Sequence, residues 1–267
     1  MGVRVSEGIE VFTVAQRPEL EVGLRSLPGT FAEFMHHDAV VNRYWDSLFA
    51  DFAGFQIAVL DDADGILAAG HCIPVFWDGT TEGLPAGLDG VLERGVRGAA
   101  AGRAPTAVSA LLAVVPPAHR GLGLSGVVLG AMKAVAAGNG LGALIAPVRP
   151  TLKERYPLTP MERYILWERE DGLPFDPWLR VHRRLGAEVL RVAPESMIIA
   201  GTVSEWEGWT DMRFPESGDY VVRGALRPVV MDLERDLGVY TEPNVWMRHP
   251  VGVEEWQEGD TVGQRDT

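Results

Sequence analysis

The sequence predicts an α/β (α+β) fold, a mixed central sheet flanked by helices, and three observations carry that expectation. Ala107 to Val115 is a continuous apolar run, Pro116 to Gly123 a loop, Leu124 to Asn139 a helical stretch with small residues, and Gly142 to Val148 a second apolar run. This is a β-loop-α-β unit with a buried second strand. Ahead of it, Gln56 to Leu60 and Ile66 to Trp77 are β-prone and flank Asp61-Asp62-Ala63-Asp64-Gly65. Asp and Gly supply turn conformations, so the pair reads as a hairpin. Third, Phe31, Phe34, Met35, Tyr44, Trp45, Leu48 and Phe49 recur at spacings of three and four, the pattern of one or two amphipathic helices.

The remaining elements follow in order. Val11 to Ala15 is a short β-prone run, and Leu20, Leu24 and Leu27 then recur at helical spacing until Pro28-Gly29 ends the pattern. A Gly-rich connection, Asp78 to Ala104, contains a helix from Leu88 to Arg97. After the central unit comes an inserted segment, Pro150 to Pro177, rich in proline, charge and aromatics. A helix over Trp178 to Leu185 ends at Gly186, and two strands follow, Glu188 to Val192 and Ser196 to Val203. Residues 1–203 form the main domain; 204–250 reads as an irregular covering extension of it, and 251–267 as a flexible acidic tail.

Composition narrows the function. With 267 residues, 46% hydrophobic content and 8 Trp, the chain can bury a sizeable core as one domain with additions. A net charge of -13 argues against nucleic acid, where affinity rests on Lys and Arg displacing counterions. Nothing in the sequence has the length of an apolar membrane span or the pattern of a secretory leader, so a cytoplasmic protein without a membrane partner is expected. The single cysteine, Cys72, allows no intrachain disulfide or cysteine-based zinc site, and its apolar surroundings make it a small buried hydrophobe. His36-His37 is no metal pair, because adjacent side chains on a helix diverge by about 100°. No metal is expected.

The chemistry concentrates between the first central strand and its helix. Val115-Pro116-Pro117-Ala118-His119-Arg120-Gly121-Leu122-Gly123-Leu124-Ser125-Gly126 puts small residues where a chain leaves a strand and opens a helix. Backbone N–H groups then converge on one spot, the positive end of the helix dipole adds to them, and an anion such as a phosphate is suited. Arg120 adds charge at the rim. Gly121, Gly123 and Gly126 also spell the G-x-G-x-x-G of dinucleotide-binding folds. In those folds the first glycine follows the strand almost directly and an acidic residue ends the next strand. Here Pro116 to Arg120 intervene and the next strand ends Ala146-Pro147-Val148, which argues against that reading.

The segment resembles motif A of the GNAT acyltransferases, Gln/Arg-x-x-Gly-x-Gly/Ala after a strand ending Val-x-Pro. Here it reads Arg120-Gly121-Leu122-Gly123-Leu124-Ser125, with Ser125 in the place of the usual small apolar residue. A second resemblance follows: the family's Leu-Tyr-x-Lys-Leu-Gly-Phe is matched by Val181-His182-Arg183-Arg184-Leu185-Gly186-Ala187. The order of elements from Val11 to Val203 is also that of the GNAT fold.

That resemblance implies acetyl-CoA, or another acyl-CoA, as co-substrate. Backbone N–H groups of Arg120, Gly121, Leu122, Gly123, Leu124 and Ser125 would bind its pyrophosphate. The strand edge at Val115 would pair with the pantetheine arm and polarise the acyl carbonyl while an amine of a small molecule attacks directly. His182 stands where the family has a tyrosine that protonates the departing thiolate, a task for an imidazole of ordinary pKa near 6.5. None of Glu154, Glu162, Glu168 and Glu170 is singled out as a base. Tyr156, Tyr164, Trp167, Phe175 and Trp178 either line the acceptor pocket or pack the insertion onto the core. A non-catalytic acyl-CoA sensor, an enzyme using longer acyl-CoA or a carrier-protein thioester, and a homodimer all stay open at this point.

Overall fold

The computed structural model describes residues 3–6, 8–28 and 31–252. A ten-stranded sheet forms its centre, in the order β1-β2-β3-β4-β5-β6-β10-β9-β8, with β7 on the other edge of β10. The strands are β1 (Val3–Ser6), β2 (Ile9–Thr13), β3 (Gln56–Asp61), β4 (Ile66–Val75), β5 (Ala107–Val114), β6 (Ala143–Val148), β7 (Glu188–Gly201), β8 (Gly218–Tyr220), β9 (Val229–Asp232) and β10 (Leu237–Pro250). Neighbours pair antiparallel except β5 with β6. The expected hairpin is β3–β4. Its turn is held by Asp61, whose Oδ1 accepts from the N–H groups of Ala63 and Gly65.

Helices cover both faces. On one face α1 (Leu20–Arg25), α2 (Ala39–Ala50) and α3 (Leu88–Ala100) bury Leu24, Leu48, Phe49, Val91 and Leu92 against Ala69, Ile73 and Trp246. On the other, α4 (Leu124–Gly138), α5 (Met161–Tyr164) and α6 (Pro177–Arg184) pack Val128, Met132, Tyr164 and Leu179 against Val108, Leu144, Val245 and Met247. A third cluster gathers Phe34, Phe214, Tyr240 and Trp206 of α7 (Val203–Thr210). Each apolar stripe lies where its 3.6-residue or two-residue period puts it.

Three expectations need correction. The two strands expected over Glu188 to Val203 are one, β7, which ends at Gly201 and is followed at once by α7, because Pro194 falls at an irregularity of the β7–β10 pairing and bends the strand without ending it. The stretch read as an irregular cover, 204–250, supplies β10, which lies between β6 and β7 and buries Trp246 and Met247 completely. Its alternation is broken by Pro243 and by buried Glu242 and Asn244, which hid it. A short strand, β1, precedes β2 where none was expected. Most of the acidic tail lies outside the described residues. Among the described residues no helix is long and apolar enough to cross a membrane.

Candidate active site

Strand β5 carries the site because its two edges differ. One edge pairs with β4 from Ala107 to Val114. On the other, pairing with β6 is limited to Val108 with Leu144 and Ser109 with Ile145, although β5 runs on to Val114 and β6 to Val148. Past Ser109 the strands part, and peptide groups on that edge of β5 have no strand partner. A bulge accompanies the parting: His71 of β4 faces Leu112 while Cys72 faces Ala110, so β5 holds one extra residue there and twists more strongly. Val115, half-buried, follows at the end of this edge.

The loop beyond Val115 delivers backbone donors to the same end of the sheet. Pro117–His119 form a 3-10 turn, and the His119 ring, with Nδ1 3.0 Å from the Leu67 carbonyl oxygen, ties it to β4. Gly121 and Gly123 hold φ of 81° and 74°, values that strain any side chain. A Cβ added at Gly121, Gly123 or Gly126 would meet nothing within 4 Å, so the space above the loop is open. Gly123 is the N-cap of α4 and no side chain caps that helix. Its first N–H groups, from Leu124 and Ser125 onward, therefore face outward at the positive end of a 15-residue helix. Arg120 and Leu122 are exposed at the rim. Arg120 to Ser125 thus run through one turn into the start of α4 and form a cradle of backbone N–H donors, with Val115 on the strand edge before it; such donors suit an anion.

His182 lies at the foot of the parting. It projects from α6 and its Nδ1 is 2.9 Å from Nε2 of His249 on β10. His249 faces Leu144, one residue short of the last β5–β6 pair. The Trp178 ring stands edge-on to His182 at 4.5 Å between centroids. Both histidines are buried, at 2% and 0% exposure. Burial first, and then its neighbour His249, lowers His182 to about 3. His249 falls to about 4, mainly through burial. At neutral pH both rings are uncharged, so the ordinary imidazole value assumed from the sequence does not hold. His182 Nε2 is buried with no hydrogen-bond partner.

No protein-family model matches the chain. The arginine N-acetyltransferase avaD of Aspergillus versicolor is 30% identical over 283 aligned positions, which take in 94% of this chain and 97% of that protein. The chain belongs to the GNAT acyltransferases. Two solved structures share the fold at 16% identity. The loading GNATL domain of CurA from Lyngbya majuscula matches with a TM-score of 0.54 over 91% of this chain and 98% of that one. The GphF GNAT-like decarboxylase in complex with isobutyryl-CoA matches at 0.52 over 91% and 99%. The protein is accordingly an acyltransferase.

This GNAT chain also carries polar groups that the sequence reading passed over. Beyond the end of β6, Arg149 Nε donates to both oxygens of fully buried Glu242, at 2.9 and 3.2 Å, and Glu242 accepts from the Tyr240 hydroxyl and Asn244 Nδ2. Nearby, Asp38 caps α2 by accepting from the N–H groups of Val40 and Val41, while Asp89 in the first turn of α3 accepts from the Ile198 N–H. Burial, then the charge of Asp38, pushes Asp89 up to about 8. Burial likewise raises Asp38. An Asp just before an apolar-periodic helix was a legible capping signal. Glu242 sits 93 residues from its partner Arg149 and gave no local one.

The insertion resolves toward packing. Tyr156, Tyr164, Trp167 and Phe175 contact one another, with centroids 4.9 to 6.4 Å apart. Glu154, Glu162, Glu168 and Glu170 are all exposed. Cys72 is fully buried and its thiol pKa is pushed up by burial, as befits a core residue. Among the described residues no group of three or more His, Cys, Asp or Glu side chains could hold a metal ion.

Proposed function

We propose that the protein is a cytoplasmic N-acetyltransferase that moves an acetyl group from acetyl-CoA to an amine of a small molecule by direct attack. The observation that carries this reading is the parting of β5 from β6 beside the uncapped N-terminus of α4. One end of a long thioester needs an anion cradle, and its arm needs an unpaired strand edge; the two lie at the same end of the sheet. Backbone N–H groups of Arg120 to Ser125 hold the pyrophosphate. The β5 edge up to Val115 pairs with the pantetheine arm and polarises the acyl carbonyl. His182 attends the departing thiolate. Catalysis is mostly positioning, which supplies roughly 7–11 kcal/mol in well-oriented intramolecular reactions. The relative that acts on arginine supports a cationic amine as the first acceptor to try.

Isothermal titration with acetyl-CoA and longer acyl-CoAs, alongside Gly123→Glu, tests the donor site. Saturable binding that the variant loses is the expected result; no binding of any thioester by the native chain would overturn the reading. Release of free CoA with arginine and related amines then separates an enzyme from a sensor, which would bind the thioester and release nothing.

A further inference from the structure

A thioester lying in the parting is reached from either face of the sheet, and α4 with its cradle occupies one of them. On the other face, α2 and α3 both begin near the mouth of the parting. Counted on in parallel from Val108 and Leu144, Arg149 falls within two residues of Val115 along the sheet. Its partner Glu242 faces Met197 across the β7–β10 seam. The start of α3 is fastened there: the Leu88 N–H donates to Ser196 Oγ, and Asp89 Oδ2 accepts from the Ile198 N–H. Phe34 and Met35, just ahead of α2, pack with Met197 and Tyr240, so Asp38 at the head of α2 stands in the same neighbourhood. Asp38 is fully buried and Asp89 half-buried, so the two carboxyls lie just below the surface.

The Arg149 guanidinium is committed to both Glu242 oxygens and to the Gly224 carbonyl. Asp38 and Asp89 each satisfy one oxygen with backbone N–H groups, whereas Asp38 Oδ2 and Asp89 Oδ1 are buried with no hydrogen-bond partner. A buried polar atom left alone in a native fold calls for a missing partner. A carboxylate oxygen only accepts, so that partner is a donor, and two neighbouring carboxylates select one that is positively charged and has several N–H groups. Burial first, and then the charges of Asp38 and Glu242, work against a negative Asp89, a cost that a cation beside it removes. We infer that Asp38 and Asp89 are the receptor for a guanidinium at the far end of the acceptor, held there while an amine of the same molecule reaches the thioester. The inference rests on the acyl-transfer reading above and names its acceptor class. A planar guanidinium presents its N–H groups in a fixed fork, which suits two oxygens better than an ammonium does. The receptor takes no part in making or breaking bonds; it supplies orientation and the choice of substrate.

Arginine and citrulline, which has a neutral urea group where arginine has the guanidinium, are the probes. In CoA release the native chain should favour arginine by about 10- to 100-fold in kcat/KM, the range expected when charge-assisted hydrogen bonds give way to neutral ones. Titration of each compound into the CoA-loaded protein should give the same order without turnover. Asp89→Asn should raise KM for arginine about tenfold and bring the arginine-to-citrulline ratio close to one, while the affinity for acetyl-CoA holds. Asp38→Asn, whose side-chain oxygen can still accept from the Val40 and Val41 N–H groups, should do the same. A merely structural role would weaken both compounds alike, and an unchanged ratio in the variants overturns the inference. So does a native chain that binds citrulline as well as arginine, or binds neither: the two carboxyls would then hold a proton and no ligand. If acetyl-CoA binds and only neutral amines release CoA, the inference alone falls; if no thioester binds, the acyl-transfer reading falls with it. Should one variant not fold, the other variant and the native ratio decide.

Discussion

The seam between β5 and β6 holds two registered residue pairs, whereas the seam between β10 and β7 holds ten. The first is left open past Ser109 and faces glycines whose conformation no other residue tolerates well. The second is closed over its length, and close to it a buried carboxylate is tied to arginine, tyrosine and asparagine. Rigidity on one side lets the other side stay unpaired. A strand edge can remain open to a substrate only if the rest of the sheet holds the two strands apart, and β10, clamped between β6 and β7, does so for β6.

The largest expected effect comes from breaking the closed side. In Glu242→Ala the Arg149 guanidinium, whose side chain is only 22% exposed, loses its counter-charge, and Tyr240 and Asn244 lose their acceptor. Removing one partner of a buried pair costs about 3–5 kcal/mol, which urea unfolding would read directly. A loss below 1 kcal/mol would mean that the network is dispensable to the closed seam. Next is Asp176→Ala. This carboxylate caps α6 through the N–H groups of Trp178 and Leu179 and also accepts from the Leu152 N–H and the Tyr164 hydroxyl. A lost cap of ~1 kcal/mol plus stranded buried donors gives about 2–3 kcal/mol in all. Acetyl-CoA affinity should hold, because the cradle on α4 is separate.

Gly123→Ala probes the open side and should separate stability from binding. A left-handed alanine costs about 1–2 kcal/mol, a modest fall in Tm. The added methyl stands in the open space over the cradle, so acetyl-CoA affinity should drop by more than tenfold. Equal affinity in the variant would remove the cradle from the mechanism.

The two seams also differ in how far the sequence betrayed them. The open one is built from neighbours in the chain: an apolar strand, a proline turn, glycines and a helix start within about twenty residues, so the fold of that unit and the geometry of its loop were legible. The closed one is built from residues far apart. Arg149 meets Glu242, His182 meets His249 and Ser196 meets Asn244 only after β10 threads between β6 and β7. Polar residues inside a strand look like loop to any reading by period, and β10 was misread for that reason. His182 could be named from its motif, but its charge and its partner could not.

A different kind of effect is a pH dependence carried by Asp89. Its carboxyl is held at about 8 in the fold and titrates near the ordinary carboxylate value in the unfolded chain. Between those values the folded state binds more proton than the unfolded state, so stability falls as pH rises from about 4 to about 8 and levels off above that. The stabilising contribution of the protonated Asp89 carboxyl is complete below the lower value and gone above the upper one. Asp89→Asn cannot ionise, and it leaves Asp38 free to keep a charge facing its two backbone N–H donors. Thermal melts across this range should therefore be flatter for the variant than for the native chain, with the variant gaining a few degrees at pH 9 and little or nothing at pH 5. Parallel curves would show that Asp89 does not titrate across this range in the fold, and that the roof of α2 and α3 over the closed side is held by packing alone.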